Sequence, residues 1–100
     1  MIKHIVTWRL KDEALGCDKG TNCERLLAML EELPRVVPGI HHFEFGVDIG
    51  AAHGPWDIAI YSEFETRAAL DAYQVHPEHV KLKEFAAAIA DGRAVVDYEA

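Results

Sequence analysis

Residues 2 to 10 alternate between two faces of different chemistry. One face carries Ile2, His4, Val6, Trp8 and Leu10, and the other carries Lys3, Ile5, Thr7 and Arg9. Successive side chains of a β-strand point to opposite sides, so this period of two predicts a half-buried strand. His4 is then the one titratable residue on the side that faces the core.

Three later segments also predict strands. Residues 40 to 49 place His41, Phe43, Phe45, Val47 and Ile49 on one face, and residues 56 to 64 do the same with Trp56, Ile58, Ile60, Ser62 and Phe64. The connection from Gly50 to Pro55 is rich in turn residues, which predicts that these two strands form a hairpin. The valine-rich segment from Arg93 to Tyr98 predicts the last strand.

Helical periodicity separates the first two strands. Residues 11 to 20 predict a loop, and Thr21 and Glu24 have the spacing of a capping box at a helix start. The following apolar positions have the i, i+3, i+4, i+7 spacing of one buried helix face, namely Cys23, Leu26, Leu27, Leu30 and Leu33. Pro34 predicts the end of this helix.

The second helical unit is interrupted. Thr66 is a suitable N-cap for a short helix that carries Tyr73. His76 and Pro77 then predict a restart, because proline is favoured at the first helical position and the residue before it is the N-cap. The inner face of the restarted helix carries His79, Leu82, Phe85, Ala86 and Ile89. The pair Asp91-Gly92 predicts its end.

The resulting order of elements is βαββαβ. Strands with one apolar face and helices that can cover it predict an α+β protomer of ferredoxin-like type, with an antiparallel four-stranded sheet. The other sheet face would carry Ile5, Thr7, Ala59 and Tyr61 among charged residues. Such a mixed face favours a surface for self-association, and the alternative is a sheet face that contacts only water.

Composition limits the kinds of function to consider. One hundred residues with 50% hydrophobic content predict a single domain over residues 1 to 100 with one core. The formal charge of −7 argues against nucleic acids and anionic membranes as partners. The chain has no membrane-length apolar run and no signal-peptide core at its start, so we expect a soluble, cytoplasmic protein with Cys17 and Cys23 as free thiols.

Three polar groups are expected around one apolar layer: Tyr73, His79 and His4. The positive end of the helix dipole and burial both favour a neutral imidazole at His79, which is able to accept a proton. The adjacent Glu78 favours the charged form, so the sequence leaves the net shift of the His79 pKa open. The Tyr73 hydroxyl is suited to donate a hydrogen bond to a carbonyl or enolate oxygen. The alternative is structural: His79 lies at the edge of the core with its nitrogens satisfied by backbone groups, and Tyr73 is a packing residue.

Metal and cofactor sites are not predicted. Six histidines are present, and His76 and His79 have a spacing that places two imidazoles on one helix face. No Cys or carboxylate is directed to the same point, so we expect no metal site. The chain also contains no glycine-rich phosphate loop, nucleophile elbow or nucleotide fingerprint, so no cofactor is expected.

Three segments carry a family resemblance. The opening Ile2-Lys3-His4-Ile5-Val6, the strand ending Ile60-Tyr61-Ser62-Glu63-Phe64 and the corner Tyr73-Gln-Val-His76-Pro77-Glu-His79-Val resemble the stress-responsive dimeric α/β-barrel (Dabb) family over essentially the whole chain. The combination of the H-P-x-H-V corner with K-H in the first strand is more specific than either alone. The resemblance implies a protomer that pairs with a second copy through the open sheet face to form a barrel.

The resemblance also implies a site. A plant polyketide cyclase of this family uses a tyrosine and a histidine at positions matching Tyr73 and His79 for an intramolecular aldol closure, and a histidine matching His4 lines its pocket. An apolar or carbonyl ligand would then contact Val6, Trp8, Leu26, Leu27, Leu30 and Leu82. Cofactor-independent cyclase or lyase chemistry on a β-keto or aromatic substrate is one hypothesis, and a non-catalytic stress-response or ligand-binding barrel is the second. A heme- or metal-handling barrel, similar to related barrels outside this family, is the third.

Overall fold

The computed structural model describes residues 1 to 100. The strands are β1 (Ile2–Leu10), β2 (Glu13–Ala14), β3 (Cys17–Asp18), β4 (His42–Val47), β5 (Ile58–Phe64) and β6 (Ala90–Glu99). The helices are α1 (Lys19–Val36), α2 (Arg67–Val75) and α3 (Pro77–Ile89). The strands and helices follow the predicted order, with a small additional hairpin formed by β2 and β3.

The main sheet is antiparallel and has the strand order β4-β5-β1-β6. β1 lies inside it, with its residues Ile2 to Trp8 paired to both β5 and β6. This is the predicted ferredoxin-like α+β architecture. β6 is an edge strand, and its pairing with β1 places Val95 opposite Val6 and Asp97 opposite His4.

The core lies between the sheet and the helices. It contains sixteen buried apolar residues, including the alternating residues of β1 and the stripe Leu26, Leu30 and Leu33 of α1. Burial of a leucine side chain stabilises a fold by about 1.5–3 kcal/mol relative to exposure. The alternation and the helical stripe therefore identify the surfaces that meet in this core.

The predicted start of the first helix was wrong by three residues. α1 begins at Lys19, and its N-cap is Asp18, whose carboxylate accepts a hydrogen bond from the Thr21 backbone N–H at 2.8 Å. The predicted loop contains the β2–β3 hairpin, whose turn places Leu15 and Gly16 at positive φ. The hairpin brings Asp18 to the cap position, so Thr21 lies within the first turn and not before it.

Two predicted helix ends were also wrong. α1 continues past Pro34 to Val36, since a proline so near the C-terminus removes only one helical hydrogen bond and Val37 N–H still bonds the Leu33 carbonyl. α3 ends at Ile89, and Asp91-Gly92 lies inside β6 instead of forming a stop. Strand pairing with β1 begins at Ala90, immediately after the last residue of the helix.

The break between α2 and α3 agrees with its prediction. Thr66 caps α2, with its hydroxyl accepting from Ala69 N–H at 3.1 Å. His76 caps α3, because its Nδ1 accepts from the Glu78 N–H at 3.1 Å, and Pro77 occupies the start of the helix. The corner thereby places the last turn of α2 against the first turn of α3.

The sheet face away from the helices is mixed, as predicted, and includes a charged network. Lys3 Nζ donates to Glu63 Oε2 at 2.7 Å, and the Tyr61 hydroxyl donates to the same oxygen at 2.5 Å. The hydrogen bond from Lys3, followed by that from Tyr61, lowers the pKa of Glu63 to about 2. The same bond to Glu63 raises the pKa of Lys3.

None of the three helices has the length and apolarity that a membrane-spanning helix requires.

Truncation of a core leucine should measure the contribution of this packing. We expect Leu30→Ala to lower the free energy of unfolding by about 2–5 kcal/mol, because Leu30 is fully buried and a cavity would remain. Ile49→Ala is the control, since Ile49 is 89% exposed and its truncation should change stability by less than about 0.5 kcal/mol. Urea unfolding measures both, and equal losses would contradict the placement of the core.

Candidate functional site

Tyr73 and His79 are in direct contact at the α2–α3 corner. Their rings stack with centroids 3.9 Å apart and an interplanar angle of 25°. Tyr73 is 1% exposed and His79 is 5% exposed. The corner brings the two together, since Tyr73 lies in the last turn of α2 and His79 in the first turn of α3.

The hydrogen bonding of His79 determines its tautomer. His79 Nδ1 lies 3.1 Å from the Tyr73 backbone carbonyl, which can only accept, so Nδ1 carries the proton. In the neutral ring the lone pair is therefore on Nε2, and no group of the chain donates to it. Burial, and then the positive charge of Lys83, lower the pKa of His79 to about 4. At neutral pH His79 is thus an uncharged ring with a basic nitrogen.

His4 joins the pair from the sheet. Its ring makes an edge-on contact with Tyr73 at 6.0 Å and another with Phe64 at 6.4 Å. His4 Nδ1 donates to the Asp97 carboxylate on β6. A carboxylate on one ring nitrogen holds the imidazole in a single orientation and tautomer. His4 is therefore a positioned group, although only 2% of it is exposed.

The Tyr73 hydroxyl has no hydrogen-bond partner within the chain. Asn22 Oδ1 is the one fully buried side-chain oxygen or nitrogen that lacks a partner, so the Tyr73 oxygen is not completely enclosed. Burial raises the pKa of Tyr73, which keeps the phenol protonated and able to donate. The Phe64 ring, 5.0 Å away, packs against the tyrosine and fixes its position.

Asp97 is the member of this cluster that the sequence analysis missed. The signal was present, because the alternation of β6 places Asp97 on the same face as Val95, and antiparallel pairing with β1 places it opposite His4. The register of that pairing depends on the irregularity between Arg9 and Leu10, which the pattern does not reveal. Asp97 remains 41% exposed, so the cluster reaches the surface at this carboxylate.

Two cavities flank the cluster along the helix side of β6. The larger, about 620 Å³, is lined by Trp8, Gln74, Lys83, Ala86, Ala87, Ala90, Asp91, Gly92 and Arg93. The other, about 370 Å³, is lined by Ile2, Arg67, Leu70, Asp71, Asp97, Tyr98 and Glu99. Tyr73 and His79 line neither cavity, but Gln74 follows Tyr73 directly and Asp97 binds His4. The helices leave the helix-facing side of β6 uncovered, and the two cavities together form a groove beside this strand.

The structure separates the predicted ligand contacts into several places. Trp8 lines the larger cavity. Val6, Leu26 and Leu30 are core residues with 0–3% exposure, and Leu27 packs half-buried against them. Leu82 is buried at the base of a depression between α1 and α3, on the other side of α3 from the groove. Tyr73, His79 and His4 are brought together, whereas most of the aliphatic residues fill the core.

No group of three or more His, Cys, Asp or Glu side chains is arranged to hold a metal ion. The Nδ1 atom of His76, the residue considered with His79 for metal binding, accepts the helix-capping hydrogen bond instead.

The buried neutral imidazole should make stability depend on pH. Because the pKa of His79 falls from 6.5 when unfolded to about 4 when folded, the unfolded chain binds this proton first as the solution is acidified. The free energy of unfolding should therefore fall between about pH 6.5 and 4, by on the order of 3 kcal/mol from this residue. His79→Gln keeps a donor for the Tyr73 carbonyl but removes the titration.

Urea unfolding at pH 7 and pH 4 should thus give a smaller acid-induced loss for His79→Gln than for the unsubstituted protein. His53→Gln, which changes an exposed imidazole in the β4–β5 connection, serves as the control. The same acid-induced loss in all three proteins would contradict the neutral, buried state of His79.

Comparison with known proteins gives one family match. The model of the Stress responsive A/B Barrel Domain (Dabb) matches residues 2–100. No curated protein matches the chain.

Solved structures with the same fold are numerous. A dimeric ferredoxin-like protein of unknown function from Thermobifida fusca has 27% identity and a TM-score of 0.87, over 99% of this chain and 90% of that one. A dimeric protein of unknown function from Bacteroides fragilis has 31% identity and a TM-score of 0.81, over 99% and 95%. A hydroxynitrile lyase from Passiflora edulis, with 22% identity and a TM-score of 0.79 over 97% and 90%, shares the fold. The family match over residues 2–100, with this fold, places the chain in the Dabb family.

Proposed function

We propose that this protein is a cofactor-independent enzyme that transfers a proton at a carbon next to a carbonyl group. The observation that carries the proposal is the tautomer of His79, whose Nδ1–H is engaged by the Tyr73 carbonyl so that the basic Nε2 is left free. A neutral imidazole in an apolar environment is a suitable general base. The Tyr73 phenol stacked on it supplies a donor for the oxygen on which negative charge develops.

Each residue of the cluster has a role in this reaction. His79 Nε2 takes the proton from the carbon next to the carbonyl, and the electron pair moves to the carbonyl oxygen. This oxygen accepts a hydrogen bond from the Tyr73 hydroxyl. His4, held by Asp97, orients the substrate carbonyl. General acid–base catalysis contributes about 10²–10⁴-fold, and a donor to the developing anion contributes about 10²–10³-fold.

The family resemblance suggests how the enolate is used. In a β-keto compound with a second carbonyl, the enolate carbon would attack that carbonyl in the same molecule and form a carbon–carbon bond. The resulting alkoxide would recover the proton held by His79. The overall reaction is then an aldol closure in which no atom is gained or lost, and it needs no oxidant or metal.

A second candidate is a non-catalytic stress-response or ligand-binding barrel. It is favoured by a specific observation, since the two cavities along β6 are lined by neither Tyr73 nor His79. In this case a small apolar compound binds beside Trp8, and the Tyr73–His79 stack acts only as packing for the corner. Binding without proton transfer distinguishes this candidate from the first.

Deuterium exchange provides a direct test of the enzymatic proposal. Phenylacetone in D₂O is a suitable probe, because loss of its proton signal next to the carbonyl is followed by NMR without a coupled reaction. We expect the protein to accelerate exchange above the buffer rate, His79→Gln to abolish the acceleration, and Tyr73→Phe to reduce it by about 10²-fold or more. The acceleration should be lost as the pH falls through about 4, where His79 becomes protonated.

His53→Gln is the matched control and should leave the exchange rate unchanged. Exchange that persists in His79→Gln would contradict the assignment of the base. Thermal-shift stabilisation by phenylacetone without any accelerated exchange would favour the binding barrel.

We also propose that two copies associate through the open sheet face. This face carries Ile5 and the exposed residues Val96 and Tyr98, which are 58% and 46% accessible in the protomer. The Lys3–Glu63 pair, with 20% and 17% side-chain exposure, supplies matched charges at the same face. The Thermobifida fusca and Bacteroides fragilis relatives are described as dimeric, which supports this assembly.

Val96→Asp should disrupt this dimer, because it places a charge among apolar groups that a second sheet would bury. Light scattering coupled to size-exclusion chromatography should give a dimer for the unsubstituted protein and a monomer for Val96→Asp. Val75→Asp, on the helix side of the molecule with 75% exposure, is the matched control and should stay dimeric. A dimer that persists in Val96→Asp would rule out this face as the interface.

A further inference from the structure

The larger cavity in the groove beside β6 combines positive charge with an apolar floor. Its volume of about 620 Å³ lies within the usual range for small-molecule sites. Two cationic residues, Lys83 and Arg93, line it together with Trp8 and three alanines of the α3 region. The chain has a formal charge of −7, so two cationic side chains at one cavity form a locally positive site. Such a site favours an anionic ligand.

Arg93 has no ion-pair partner within the chain. It lies on β6 directly opposite Trp8 of β1, so both side chains project from the helix-facing side of the sheet. A guanidinium presents donors in a planar fork that matches the two oxygens of a carboxylate. The guanidinium therefore lies on the same side of the sheet as Trp8, the one aromatic residue that lines the cavity.

The acidic residue that lines this cavity is already neutralised. Asp91 Oδ1 accepts from Arg9 Nε at 2.7 Å, and the Asp91 carbonyl accepts from Arg9 Nη2 at 3.1 Å. The hydrogen bond from Arg9 also lowers the pKa of the Asp91 carboxyl, which keeps it ionised as the partner of that arginine. The charges of Lys83 and Arg93 are thus not cancelled by the lining of the cavity.

Lys83, which lines the same cavity, is held in place by a backbone carbonyl. Its Nζ donates to the Gln74 carbonyl at the end of α2 at 2.8 Å, which uses one of three ammonium donors. The remaining donors are free for a ligand. This bond fixes the ammonium next to the α2–α3 corner, where its charge acts on His79.

We propose that this cavity binds a small aromatic carboxylate, with the carboxylate between Arg93 and Lys83 and the ring against Trp8 and Ala86. This inference rests on the proposed function in one respect, because it places the substrate of that function in this groove. It specifies that the substrate is a carboxylic acid. A flat, singly charged carboxylate fits one arginine fork and one ammonium. The carboxylate would anchor the ligand at the wall that is adjacent to Tyr73 and His79.

Calorimetric titration with 1-naphthoate and with the neutral 1-naphthamide tests this site, because the two probes differ mainly in charge. We expect 1-naphthoate to bind at least ten-fold more tightly than 1-naphthamide. Arg93→Gln should weaken naphthoate binding by about 10- to 100-fold, the range for loss of a charge-assisted hydrogen bond, and leave naphthamide binding unchanged. Arg93→Lys should retain part of the affinity, since it keeps the charge but not the fork.

Arg35→Gln is the control for net charge, because Arg35 lies in the last turn of α1 and does not line the cavity. It should leave both affinities unchanged. Equal affinities for the two probes, or an unchanged naphthoate affinity in Arg93→Gln, would overturn the proposal. Tighter binding of 1-naphthyl phosphate than of 1-naphthoate would overturn the assignment to carboxylates.

Exchange of phenylacetone and binding of 1-naphthoate, measured on the same protein, separate this inference from the proposed function. Arg93-dependent binding in a protein that accelerates no exchange would contradict the catalytic proposal and leave the carboxylate site in place. Accelerated exchange with no effect of Arg93→Gln on binding would contradict the carboxylate site alone.

Discussion

The candidate site depends on the interruption between α2 and α3. His76 accepts the N–H of Glu78, and Pro77 has no N–H, so the first two positions of α3 leave no backbone donor unpaired at the turn. The turn places the last carbonyls of α2 next to the first side chains of α3. His79 and Lys83 each donate to one of these carbonyls, at Tyr73 and Gln74. A continuous helix would separate all of these groups.

Burial and hydrogen bonding together determine the chemistry of the cluster. The same apolar packing that raises the pKa of Tyr73 lowers that of His79, so both groups are neutral at pH 7 and differ in role, one donating and one accepting. His4 instead donates a hydrogen bond to the carboxyl group of Asp97, at the exposed margin of the core. The two buried imidazoles, His4 and His79, are compatible with an apolar core because each has a hydrogen-bond partner within the chain.

The edge strand β6 connects the two surfaces on which the proposed functions depend. On its helix side, Arg93 and Asp97 remain accessible because α2 and α3 cover β1 and β5 more completely than β6. On its other side, Val96 and Tyr98 extend the face proposed for dimerisation. A change in the position of β6 would therefore affect the groove and the open sheet face together.

Local sequence patterns determined the order of the elements, the faces of β1 and the corner at His76 and Pro77, because periodicity and capping act over a few residues. They also indicated that Tyr73, His79 and His4 belong to one layer. The start of α1 and the role of Asp91-Gly92 were predicted incorrectly, since a hairpin and a strand pairing between distant segments override the local signals.

Only the tertiary structure decided which groups face a cavity and which fill the core. Leu26 and Leu30 satisfy the helical pattern equally well in either role, and packing against the sheet places them in the interior. The pairing of His4 with Asp97 and the position of Arg93 opposite Trp8 depend on the register of β1 and β6, which lie at opposite ends of the chain. Sequence periodicity defines the face on which a side chain lies, but not its partner across the sheet, because that partner is set by long-range register.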